Sequence, residues 1–144
     1  MRSYEMRYVV GFEETNVVGN VYYAHHVRWQ GRCRELFLRE YAPDVIAELE
    51  RGLVLLTLRV SCEYFAELSA FDEVVIQMSL VELLPHRMSL RFDYQRLGAS
   101  GEELVARGTQ DLACMRRRGE KLEPEAWPQS LREALLPYQE AGRI

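Results

Sequence analysis

The sequence predicts an α+β fold in which an antiparallel five-stranded sheet wraps around one long helix. Three observations predict it. From about His25 to Tyr41, the residues Trp29, Cys33, Leu36, Phe37 and Tyr41 recur at helical spacing. Ahead of that stretch, Tyr4 to Val10 alternates between apolar and polar side chains. Behind it, four consecutive segments read as strand, with turn residues between them.

Taken in order, Tyr4, Met6, Tyr8 and Val10 share one face of the first strand, and Glu5 and Arg7 take the other. Gly11 to Ala24 carries turn residues without a sustained period and reads as a loop. On the long helix, Arg28, Arg32, Glu35 and Arg39 form a wetter face opposite the apolar stripe. Gly31 sits mid-helix, where Gly costs ~1 kcal/mol against Ala, so a close approach to the sheet is expected there. Pro43 suits the first turn of a short second helix that runs to about Arg51 and ends at Gly52.

The later strands are Leu53 to Phe65, Glu73 to Leu84, Arg87 to Leu97 and Glu103 to Arg117. Pro85-His86 and Gly98-Ala99-Ser100-Gly101 are the turns, and Gly108 is a candidate bulge. A tail from Arg118 holds Pro124, Pro128 and Pro137 around an amphipathic piece, Leu131 to Leu136. Residues 1–144 read as one domain, with its core at about 4–117 and a tail at 118–144. An open sheet leaves an edge strand exposed, so pairing of edges between two copies is expected.

Composition narrows the function. Hydrophobic residues make up 48% and charged residues 28%, which suits a folded domain. A net charge of -4 argues against a general nucleic-acid binder. No apolar run approaches a membrane span, and the N-terminal MRSYEMRYVV has no signal-peptide core, so a cytoplasmic setting is expected. Cys33, Cys62 and Cys114 are widely spaced, which gives neither a disulfide framework nor a zinc signature. No GxSxG, GxGxxG or GxxxxGK[ST] motif occurs, so neither a serine nucleophile nor a nucleotide cofactor is indicated.

The richest polar constellation is the stretch FEETNVVGNVYYAHHVRWQGRCRELFL, Phe12 to Leu38. Its Thr15-Asn16 pair, Gly19 and Val21-Tyr22-Tyr23 ahead of a helix resemble the active-site segment of hotdog-fold thioesterases of the 4-hydroxybenzoyl-CoA thioesterase type. YFAELSAFDEVVI is similar to that family's turn into its third strand, and the resemblance covers roughly Tyr4 to Arg117. More narrowly, EETNVVGNVYY followed by RWQGRCRE resembles the thioesterases of enediyne polyketide biosynthesis.

The resemblance implies a single hotdog fold and a hydrolase that releases a polyene β-ketoacyl chain from the acyl carrier domain of an enediyne polyketide synthase. The released β-keto acid is prone to lose CO2. It also implies a homotetramer built as a dimer of dimers, with no metal and no cofactor. The broader family carries a catalytic Asp in the loop, seven residues before a backbone amide at the helix start. Here those positions are Asn16 and Tyr23. Asn has no ionisable group, so a plain carboxylate mechanism does not carry over. The enediyne subgroup is similar in having Asn there and relying on a helix Arg, which by spacing is Arg34.

The expected catalytic groups are therefore Asn16, Arg34 and the Tyr23 backbone amide, with the Tyr22 amide beside it. Gly19, Tyr22 and Trp29 are the expected substrate-binding residues, although the aromatic rings equally suit plain core. Asn16 also suits a turn-forming role. Glu13 and Glu14 read as ordinary loop carboxylates, and His25-His26 as structural. Arg116-Arg117-Arg118 fits either a solvated strand end or a surface that steers an acidic carrier domain. The competing functions are hydrolysis of a small acyl-CoA and non-catalytic binding of an acyl ligand.

Overall fold

The computed structural model describes residues 2–140; Met1 and residues 141–144, the last of the expected tail, lie outside the described residues. Helix α1 runs from Ala24 to Tyr41 and stops at Ala42, where Pro43 begins helix α2, Pro43–Leu49. A proline disfavours helical backbone in the residue before it, and Ala42 takes φ -144°, ψ 56°. Trp29, Cys33 and Phe37 are buried, as the periodicity predicts. Tyr41 departs from the stripe: it is half-exposed and packs edge-on against Tyr4. His26, Gln30 and Leu38 are buried instead, because the sheet curls far enough to cover more of α1 than one stripe.

The five expected strands are β1 Tyr4–Val9, β2 Leu53–Tyr64, β3 Glu73–Leu83, β4 Arg87–Gly98 and β5 Gly101–Arg118. Their order across the sheet is β1-β3-β4-β5-β2, and all pairs are antiparallel. This curled sheet around a long helix is the hotdog fold. The tail adds a sixth short strand, β6 Lys121–Pro124, which turns back at Gly119 (φ +64°) to pair with the end of β5. Helix α3, Gln129–Leu135, then tucks Leu131 and Leu135 into the core beside Trp127.

Two glycines behave differently from expectation. Gly31 meets no sheet: no atom lies within 4 Å of where a Cβ would sit, and nothing in the structure explains it. Gly108 is not a bulge, since it pairs in register with Cys62 and Phe92. The bulge in β5 lies between its pairings to Tyr94 and Gln95, where both Phe65 and Ala66 donate to the Val105 carbonyl. What Gly108 provides is space, and the group that fills it belongs to the site.

Strand β2 is the edge opposite β1. It carries Leu56, Leu58 and Val60 partly exposed, and a register irregularity between Thr57 and Arg59.

Candidate active site

The loop into α1 is a small folded unit. A tight turn closes at Asn16, whose carbonyl accepts from the Gly19 N–H at 2.9 Å. Gly19 takes φ +92°, a left-handed conformation that costs a glycine little. The Asn16 side-chain oxygen accepts from the Val18 N–H at 3.0 Å, so part of this side chain shapes the turn. Its carboxamide N–H groups are free of hydrogen bonds among the described residues, and the side chain is exposed.

Beneath the turn, Glu14 anchors the loop to the helix. It is 1% exposed, although sequence reasoning placed it as an ordinary loop carboxylate. One carboxylate oxygen accepts from Tyr8 Oη at 2.7 Å and the Gly11 N–H at 2.9 Å. The other accepts from Arg28 at 2.7 Å and Trp29 Nε1 at 2.8 Å. Burial pushes its pKa up, but the four donors outweigh burial and the net shift is down. Trp29 is thus a core residue that spends its N–H on this anchor. The legible signal was donor chemistry: a phenol, an indole and a guanidinium flank Glu14 at positions that β1 and α1 bring together.

The start of α1 has no side-chain cap. The Tyr22 amide, expected as an open donor, is taken by the Glu14 carbonyl at 3.1 Å. The Tyr23 amide has no partner among the described residues, so the open donor is narrowed to Tyr23. The Tyr22 and Tyr23 rings pack at the surface, their planes tilted by 42° and their centroids 4.5 Å apart. Tyr64 at the end of β2 donates to the Tyr23 carbonyl at 2.7 Å and so fixes this peptide.

His26 lies one turn on, 3% exposed, enclosed by the rings of Trp29, Tyr64 and Tyr94. Neither ring nitrogen has a hydrogen-bond partner. Burial lowers its pKa to about 4, with the nearby Tyr23 backbone opposing and His25 adding to the drop. His26 is therefore neutral at pH 7. Because its folded pKa lies below the unfolded value of 6.5, the unfolded chain takes up the proton first as pH falls. Stability should drop by about 3 kcal/mol between pH 6.5 and pH 4 from this group alone. Thermal unfolding across that range should show the loss, and His26→Phe should flatten it. An unchanged slope in the variant would assign the acid sensitivity elsewhere.

Arg34 is on the opposite half of the helix. Eleven residues separate it from Tyr23, about 16 Å along the axis at ~1.5 Å per residue. Within one chain it does not reach the Tyr23 amide. Its guanidinium donates to Gln110 Oε1 at 2.9 Å. Burial lowers its pKa, with the charge of Glu35 opposing, and no carboxylate among the described residues pairs with it. It heads a cavity whose walls include Phe37, Leu38, Leu55, Leu90 and Trp127.

Two arginines of the basic run at the end of β5 pair within the chain, while Arg117 is exposed. Arg116 bonds Glu48 at 3.1 Å and Glu125 at 2.8 Å, and Arg118 bonds Glu123 at 3.2 Å. The Arg116 pairs fasten the tail to α2, and Arg118 ties β5 to β6.

The geometry can be set beside known proteins. Residues 10–135 match the thioesterase-like superfamily, and the chain belongs to that family. It is a thioesterase. No curated protein sequence matches it. Among solved structures, it is similar to the dynemicin thioesterase, described for induced-fit and allosteric effects upon polyene binding, at 49% identity and a TM-score of 0.93 over 97% of this chain and 99% of that one. It also resembles the 4-hydroxybenzoyl-CoA thioesterase of Pseudomonas sp. strain CBS-3, at 20% identity and a TM-score of 0.78 over 93% and 99%. A gentisyl-coenzyme A thioesterase matches at 21% and 0.74 over 91% and 98%. The last two share the fold. No helix of the described residues is long and apolar enough to cross a membrane.

Proposed function

We propose that this chain hydrolyses a polyene β-ketoacyl thioester carried by the acyl carrier domain of an enediyne polyketide synthase. The observation that carries this reading is Arg34: a half-buried cation without a carboxylate partner among the described residues, at the head of an apolar cavity between helix and sheet. A long apolar chain with two oxygens at its reactive end has that pattern of chemistry. The 49% identity to a thioesterase described as polyene-binding supports it.

Water attacks the thioester carbonyl, and the oxyanion forms against the Tyr23 amide, with the Asn16 carboxamide beside it. Arg34 binds the second carbonyl. The C–S bond then breaks and the thiol leaves with a proton, without a covalent enzyme intermediate. Glu14 is closed to the role of base by its four donors. The released β-keto acid loses CO2 to give a ketone.

The helix spacing asks for a second chain. The partly exposed Leu56, Leu58 and Val60 on edge strand β2, and the exposed Val17 and Val18 at the loop tip, fit burial against another copy. That copy would bring its Arg34 to the first chain's Asn16 and Tyr23, and pairs of such dimers would make the tetramer. The three free thiols suit a reducing cytoplasm.

One observation favours a smaller acyl group: the cavity, at about 20 Å³, has room for little more than one water. A polyene would have to part α1 from its packing to enter. Free-thiol release from a panel of thioesters decides the matter. Long β-ketoacyl thioesters should turn over at least tenfold faster, in kcat/KM, than short acyl-CoA. The reverse order would make this a small acyl-CoA hydrolase.

A further inference from the structure

Arg34 is held from behind by two buried amides. Gln110, 4% exposed, accepts from Arg34 at 2.9 Å through its oxygen and donates through its nitrogen to Gln30 Oε1 at 3.2 Å. Gln30, 0% exposed, donates in turn to the Ser61 carbonyl on β2 at 3.1 Å. The direction of this chain is forced at both ends. A guanidinium only donates and a carbonyl only accepts, so each glutamine must point one way. Gly108 makes room for it: a Cβ there would overlap the Gln30 amide nitrogen and lie 2.9 Å from the Ser61 oxygen.

The choice of amides has an electrostatic consequence. A carboxylate at position 110 would hold Arg34 equally well in geometry but would cancel its charge. A neutral acceptor fixes the guanidinium and leaves its charge for a ligand, in a site dry enough for that charge to count. Position 110 pairs across the sheet with Val60 and Leu90, neither of them charged. Arg34 is the ionised group that faces it from the helix, with Glu35 on the helix's outer side.

We propose that Gln110 and Gln30 are positioning residues that aim Arg34 at the substrate's second oxygen while keeping its charge uncompensated, with Gly108 as the space they require. The proposal rests on the thioesterase reading in which Arg34 binds substrate. It also ties Arg34 to Ser61 on edge strand β2, so the aim of the guanidinium depends on the strand that faces the second copy.

Gln110→Glu tests it, because the side chain keeps its shape. The carboxylate accepts from Arg34 but has no proton for Gln30, and it neutralises the guanidinium. On a β-ketoacyl thioester, kcat should fall by about 30-fold or more at pH 8, on the scale of losing a transition-state donor. The deficit should exceed that of Gln110→Met, which removes the hydrogen bond but leaves the Arg34 charge uncompensated. A merely structural role would give equal deficits in the two variants. A wild-type kcat in Gln110→Glu, or equal deficits, would overturn the proposal. Should Gln110→Glu fail to fold, Gln30→Met breaks the chain at its middle without touching Arg34. It should lower kcat by about tenfold with KM little changed, and wild-type kcat there would equally overturn it. Arg34→Ala is run alongside. If it keeps wild-type turnover, the assignment of Arg34 fails; if it alone loses turnover, the relay fails and the assignment stands.

Discussion

Arg34→Ala should lose turnover by about 100-fold or more while remaining folded, the scale of misplacing the reacting carbonyl once the group that holds the second carbonyl is gone. Folding should survive because the change removes a half-buried cation as well as a hydrogen bond. The Gln110 oxygen loses its donor, but no opposite charge is stranded. Asn16→Ala should be inactive on similar grounds, with a small loss from its turn. The two variants together test more than either alone. If the site takes Asn16 and Tyr23 from one chain and Arg34 from the other, a mixed dimer of the two variants holds one intact site and one doubly broken one. Random pairing makes half the dimers mixed, so refolding the inactive proteins together should restore about a quarter of wild-type activity, by the pairing of one symmetric interface. No recovery, from mixtures shown to exchange subunits, would place Arg34 and Asn16 in service of one chain. The ~16 Å helical separation would then need another explanation.

The path from sequence to structure was clear where pattern alone decides and poor where one donor must find one acceptor. Alternation in Tyr4 to Val10 and Arg87 to Leu97 sets strands, and a proline after a helical stripe sets the end of α1. Those signals are local and repeat. The sixth strand was illegible because Lys121 to Pro124 is too short for a period and owes its pairing to the turn at Gly119. Gln30 and Gln110 are eighty residues apart, and nothing in either segment announces the other. Glu14 was read from its surroundings in sequence, a loop full of polar residues, whereas its surroundings in space are Tyr8, Arg28 and Trp29.

That buried carboxylate carries the largest stability effect expected. Glu14→Ala strands the Tyr8 hydroxyl, the Gly11 N–H and the Trp29 N–H, while Arg28, 63% exposed, turns to water. Each stranded buried donor costs about 1–3 kcal/mol, and partial relaxation brings the sum to about 3–5 kcal/mol. For a chain of this size that lowers Tm by roughly 8–18 °C. Glu14→Gln should recover only part of it. One oxygen still accepts from Tyr8 and Gly11, but the new amide N–H2 meets two donors, Arg28 and Trp29. The pH dependence separates this anchor from His26. Glu14's folded pKa is lowered, so its stabilisation is present above the unfolded carboxylate range and is lost as pH falls through the folded value. The loss from His26 begins higher, near pH 6.5. Wild-type stability should therefore fall in two stages on acidification, and Glu14→Ala should keep the upper stage and weaken the lower, to which Glu125 also contributes. Turnover should fall with it, because the Glu14 carbonyl holds the Tyr22 amide and so the peptide that presents Tyr23. A variant with wild-type Tm and both acid limbs would show that the four donors find other partners, and that the loop does not depend on this carboxylate.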